Sequence, residues 1–165
     1  MVAIVSLIIL ILIFGVIFLH YSSELAFKRI FLKHRKNKEE AFLYLKDKGI
    51  LDEEIYNEED IFNIEIKSSE GYKLKGYLVE KYKNNKYMIL VHGYSANYHI
   101  HMPFTRLFLN EGFNVLLVDQ RAHGGSEGEY PTYGYYEKND IDRWIKYLED
   151  KKGEDLYIGL HGQSL

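Results

Sequence analysis

Two short runs, YMILV from Tyr87 to Val91 and FNVLLV from Phe113 to Val118, are apolar without alternation. A strand with one face in water alternates apolar and polar residues, so these runs read as strands covered on both faces. Between them, Met102 to Asn110 reads as a helix closed at Glu111 and Gly112. After them, the spacing of Ile141, Trp144, Ile145 and Leu148 predicts a helix from Tyr135 to Glu149. A last strand-like run, DLYIGL, begins at Asp155. The order strand, loop, helix, strand, loop, helix, strand, turn is that of a parallel sheet with right-handed crossovers. Upstream, IFNIEIKS from Ile61 and YKLKGYLVE from Tyr72 do alternate, and Ser69, Glu70 and Gly71 between them fit a hairpin.

Ligands of such sheets bind beyond the carboxyl ends of the strands. Three unusual loops fall there: HGYSAN from His92, DQRAHGGSEG from Asp119 and HGQSL from His161. In the last, Ser164 follows a strand in a Gly-x-Ser turn. A serine hydroxyl is a poor nucleophile until a base takes its proton. On a tight turn Ser164 would project above the sheet, with Gly162 leaving room.

In this order the loops resemble those of the alpha/beta-hydrolase family. VHGYSAN, residues 91–97, is similar to the His-Gly oxyanion loop after the family's third strand. VDQRAHGGSEG, residues 118–128, is similar to its Asp-x-Arg-x-His-Gly-x-Ser loop after the fourth, and GLHGQSL matches the front of its nucleophile elbow. The resemblance covers about residues 61–165. It implies an α/β fold with a mixed, mostly parallel sheet, of which this chain holds an incomplete N-terminal part ending at the elbow. More narrowly, with an apolar helix in front, the chain resembles bacterial membrane-anchored serine hydrolases of esterase or peptidase-like type.

The resemblance makes Ser164 the nucleophile and the backbone N–H groups of Tyr94 and Leu165 the oxyanion donors. His92, Gly93, Asp119, Arg121, His123, Gly124 and Gly162 become loop-shaping residues, with Asp119 expected to hold Arg121 and the backbone of its own loop. The family's base and orienting acid follow the nucleophile in chain order. His92, His123 and His161 are therefore expected to brace loops rather than catalyse. The implied substrate is a small acyl ester or, alternatively, an amide or peptide, and the 165-residue chain alone is expected to show at most trace turnover. A non-catalytic, membrane-tethered module that associates through its open sheet edge is the competing expectation.

Other chemistries find less support. His99 and His101 lie two apart near a helix start and read as solvent-exposed; zinc needs three or four converging ligands, and no recognised spacing is present. No metal is expected. RAHGGSEG lacks both the dinucleotide fingerprint and the P-loop pattern, so no nucleotide cofactor is expected either. The absence of cysteine removes disulfides and thiolate ligands, and a net charge of -3 argues against a nucleic-acid surface.

Val2 to Leu19 is apolar apart from Ser6 and Gly15, long enough to read as a membrane anchor over residues 1–20. Residues 21–60 read as a juxtamembrane helical segment, with Ser22 or Ser23 as a helix cap, and a solvated acidic connector from Asp52 to Asp60. The hydrolase-like part fills residues 61–165. Lys28, Arg29, Lys33, Arg35, Lys36 and Lys38 follow the apolar run and none of their kind precedes it. That bias favours a single-pass chain with a cytoplasmic C-terminal domain and a contact with anionic lipid. The chain is expected to stay with membranes through high salt and an alkaline wash, and its release by either treatment contradicts the anchor.

Overall fold

The computed structural model describes residues 1–31, 35–56 and 61–164. The chain divides into two compact units, Met1–His34 and Arg35–Leu165. In the first, helix α1 runs unbroken over Val2–Phe31 with no buried residue. Its most apolar 18-residue window has a mean hydropathy of 3.4, and the helix is long and apolar enough to cross a membrane. No separate helix begins at Ser22 or Ser23. Instead the Ser23 hydroxyl donates back to the His20 carbonyl (2.8 Å), a bond made within a continuing helix.

The second unit opens with α2, Lys38–Asp47. Asn37 caps it reciprocally: its Oδ1 accepts from the Glu40 N–H (2.9 Å), and the Glu40 carboxylate accepts from the Asn37 N–H (3.0 Å). Gly49, at φ +66°, lets the chain leave the helix. The acidic stretch expected to be a solvated connector is partly docked. Glu53–Tyr56 forms one helical turn, α3, whose Ile55 is buried, while Arg106 binds Asp52 (3.0 Å) and Glu54 (2.7 Å). The remainder of that connector, residues 57–60, lies outside the described residues.

The sheet has five strands in the order β1-β2-β4-β3-β5. β1 (Ile61–Lys67) and β2 (Lys73–Val79) form the expected antiparallel hairpin. β2 then pairs antiparallel with β4 (Asn114–Val118), while β3 (Lys86–Val91) lies parallel to both β4 and β5 (Tyr157–Gly162). The crossovers are α4 (Tyr98–Asn110) and α5 (Glu137–Lys152).

β4 is buried at every position, which explains its unbroken apolar run. Its residues alternate between two cores, as strand geometry requires. Leu116 and Val118 join Leu74, Leu78 and Ile89 beneath Trp144 and Leu148 of α5. Val115 and Leu117 join Val79 and Leu90 against Met102 and Leu109 of α4. Asn114, wholly buried, accepts from the Lys81 and Tyr82 N–H groups (3.0 and 2.9 Å) and so fixes the turn between β2 and β3.

Gly76 on β2 makes space for the indole. A Cβ there would sit 2.7 Å from one ring carbon of Trp144 and 3.2 Å from Leu116 Cδ1. Gly76→Ala is therefore expected to lower the stability of the full chain in detergent by about 1–3 kcal/mol, the usual cost of overpacking. Urea unfolding should show that cost shrinking in a Trp144→Phe background, and an equal cost in both backgrounds would contradict this packing.

Candidate active site

Strand register builds the site. β3 pairs Val91 with Val118 on one side and with Gly162 on the other, so the three loops leave the sheet at one level. The Gln163 N–H continues the ladder by donating to the Val91 carbonyl (3.2 Å). Ser164 then turns to φ +46° and is exposed. A side chain in left-handed backbone costs roughly 1–2 kcal/mol and persists only where its surroundings impose it.

The first loop presses against this turn. A Cβ on Gly93 would lie 2.5 Å from the Gln163 carbonyl oxygen and 3.4 Å from Ser164 Cβ, so glycine alone permits the approach. Tyr94 follows in a turn closed by the Ala96 N–H donating to the Gly93 carbonyl (3.2 Å), and its ring stacks on Tyr133 (5.6 Å). At Gly162, by contrast, an added Cβ would meet nothing within 4 Å. The room expected of Gly162 is thus supplied by Gly93, because β5 lies at the edge of the described sheet and its last glycine faces open space. Leu165, the other expected donor, lies outside the described residues.

His92 stitches β3 to β4. Its Nε2 accepts from the Gln120 N–H (3.1 Å), which leaves Nδ1 to donate to the Gly93 carbonyl (2.8 Å). The Gln120 side-chain amide returns a bond to the His92 carbonyl. Burial pushes the imidazole down to about 3, so it stays neutral. His123 stitches the loops: Nδ1 donates to the Arg121 carbonyl (2.9 Å) and Nε2 accepts from the Ser95 N–H (3.2 Å). Both nitrogens of both rings are occupied, and neither ring is placed to act as a base.

Asp119 is the acceptor for the neighbouring backbone. Oδ1 accepts from the Tyr98 N–H at the start of α4 (2.8 Å), and Oδ2 from the Gly125 N–H (2.8 Å). Gly124, at φ +52°, has no space for a Cβ, which would overlap this carboxylate. Burial outweighs these bonds and raises the Asp119 carboxyl to about 6. The expected pairing of Asp119 with Arg121 does not form, since the Asp119 oxygens are already engaged by N–H donors. Arg121 instead forks onto Asp140 of α5 (2.7 and 2.8 Å), bonds Glu70 (2.8 Å) and lies over the Tyr136 ring (4.9 Å).

Three histidines differ from expectation. His99 and His101 are buried rather than solvated, because α4 begins a turn earlier than the expected Met102 and packs this face inward. His161 makes no bracing hydrogen bond through Nε2, which is buried without a partner; its ring packs against Phe104 and Phe108 (5.4 Å each). His101 shares the stripe and its Nε2 bonds Gln163 Oε1 (3.0 Å), bringing α4 to the residue before Ser164. The spacing of His101, Phe104 and Phe108 on one helix face was the available signal for this contact. Gln120, Gln163 and Asp140 had none. Among the described residues no three potential metal ligands converge. Beside Ser164 a cavity of about 420 Å³ is walled partly by Val91, Gln120, Ile141 and Gly162, a mixed lining able to take a short acyl chain.

Comparison with known proteins agrees with this geometry. Residues 86–165 match the family described as alpha/beta hydrolase fold. The chain is 34% identical over 128 residues to the protein YqkD of Bacillus subtilis, covering 72% of this chain and 42% of that one. It is 35% identical over 114 residues to the thiohydrolase aneE of Aspergillus aculeatus, covering 66% and 36%. Among solved structures, the Pyrococcus furiosus esterase Pf2001 superposes with a TM-score of 0.57 at 34% identity, over 62% of this chain and 42% of that one. The chain thus spans about two fifths of the length of the relatives it matches. By its strand order, its three strand-end loops and these likenesses, the chain belongs to the alpha/beta-hydrolase family, of whose fold it carries an N-terminal part.

Proposed function

We propose that this chain carries the nucleophile and oxyanion side of a serine hydrolase acting on carboxylic esters. The observation that carries the reading is Ser164, held in left-handed backbone at the end of a parallel strand with Gly93 packed against its turn. In this reading Ser164 Oγ attacks the ester carbonyl while a base takes its proton. The carbonyl oxygen gains the charge, and the N–H groups of Tyr94 and Leu165 stabilise it. One such donor is worth about 3 kcal/mol in the transition state. The alkoxide leaves with a proton, and water then releases the acyl group from serine. Likeness to the Pyrococcus esterase favours an oxygen ester. Likeness to a thiohydrolase favours a thioester as the second reading, and the same site would treat both by acyl transfer. Amides remain the more demanding alternative within the same chemistry.

The base and its orienting acid are assigned to residues other than the described histidines of the strand-end loops, whose rings are engaged in the fold. We further propose that α1 anchors the chain in a membrane, with the following basic residues favouring a cytoplasmic domain.

The purified chain should hydrolyse a short activated ester at no more than a trace rate. A chimera that continues the elbow with the corresponding C-terminal part of the Pyrococcus esterase should gain at least about a thousandfold, and Ser164→Ala should remove that gain, as loss of a nucleophile does. A cooperatively folded chimera that is inactive, or whose activity survives Ser164→Ala, would sink the proposal.

A further inference from the structure

A second cavity, of about 560 Å³, lies between the segment following α1 and the glycine-rich loop after β4. It shares no lining residue with the cavity beside Ser164. Its walls include Arg35, Lys36, Lys38, Asn97, Asp119 and Ser126. The Lys36 ammonium is committed to the Tyr44 ring (5.1 Å), which leaves Arg35 and Lys38 as the cations of the wall. Their field is felt locally. After burial, the Arg35 charge lowers His123 and the Lys38 charge lowers His99. The lone carboxylate, Asp119, has both oxygens engaged by backbone N–H groups. The cavity therefore has an excess of positive charge.

Asn97 supplies the second feature. It is 2% exposed and precedes α4 in extended backbone, where an asparagine oxygen ordinarily accepts a first-turn N–H. It makes no such bond. Its Nδ2 donates to the Lys36 carbonyl (2.7 Å), and the Lys36 N–H donates to the Ser95 carbonyl (3.2 Å). The accepting carbonyl of Lys36 fixes the amide orientation, since a flipped amide would set two oxygens against each other. Asn97 Oδ1 is consequently a buried acceptor without a donor. Buried acceptors are ordinarily satisfied, and this one stands in the wall of a cationic cavity.

We propose that this cavity binds a glycerol phosphate ester, with the phosphate against Arg35 and Lys38 and a glycerol hydroxyl donating to Asn97 Oδ1. Two sources offer that chemistry: the headgroup of phosphatidylglycerol and a free glycerol phosphate. The lipid is favoured because Arg35 follows Phe31, the end of the apolar helix, by only four positions in the sequence. Anionic headgroups concentrate cationic juxtamembrane segments, and the unpaired amide oxygen adds a preference that charge alone does not give. This site is independent of the chemistry at Ser164.

The test is native mass spectrometry of the full chain in detergent, titrated with phosphatidylglycerol, phosphatidylmethanol and phosphatidylcholine. Phosphatidylmethanol has the same phosphodiester charge without the hydroxyls. Phosphatidylglycerol should be retained about tenfold better than phosphatidylmethanol, the scale of one hydrogen bond to a buried acceptor. The double change Arg35→Gln and Lys38→Gln should abolish retention of both anionic lipids without altering thermal unfolding, and glycerol 1-phosphate should compete. Equal retention of the two anionic lipids would reduce the site to surface charge and overturn the proposal. Binding of glycerol 1-phosphate without phosphatidylglycerol would overturn the lipid source, and retention of neither would overturn the site.

Discussion

Parallel strands that end at one level leave backbone groups that no further ladder can satisfy, and in this chain a neutral imidazole meets them. His92 accepts the Gln120 N–H leaving β4 and donates to the Gly93 carbonyl leaving β3. Because both bonds use one ring, the ends of β3 and β4 are set at a single spacing. The loop from His92 is then held to the loop from Asp119 by His123, and the latter loop to α4 by the Asp119 carboxylate. A buried polar network of this kind fixes geometry only if every member is paired. The exactness demanded of Gly93 and Gly124, neither of which has space for a Cβ, follows from it.

The same network explains how a strained serine is tolerated. Ser164 is exposed, and its positive φ is not relieved by glycine. The turn is held from three directions: by the ladder bond from Gln163 to Val91, by the bond between Gln163 and His101, and by the packing of Gly93. Strain of this size survives where the surroundings over-determine it, which is the condition a preorganised nucleophile requires. Fold and proposed chemistry thus meet in one short segment, residues 92–94 against 163–164.

Much of this was legible in the sequence because it rests on local pattern. The unbroken runs of β3 and β4 and the alternation of β1 and β2 report how many faces each strand buries. The loops fell at the strand ends because helices separate the strands. What the sequence did not disclose depends on which long-range partner wins. Arg121 had Asp119 two positions away but pairs with Asp140, since backbone donors had already taken the nearer carboxylate. His99 and His101 looked like polar residues at a helix start. Pro103, a residue common in a first turn, lies inside α4 because Asp119 receives the Tyr98 N–H one turn earlier. Ile55, within an acidic stretch, is buried because Arg106 gathers Asp52 and Glu54 beside it.

The central claim is that the His92 loop and the Ser164 turn are in contact within this chain. The most direct measurement is a nuclear Overhauser spectrum of the isotope-labelled full chain in detergent micelles, with Gly93 and Ser164 assigned. A cross-peak between the Gly93 Hα protons and the Ser164 Hβ protons, together with a backbone coupling at Ser164 characteristic of positive φ, is the predicted result. Assigned resonances with no such cross-peak, and a coupling characteristic of extended backbone at Ser164, would contradict the account.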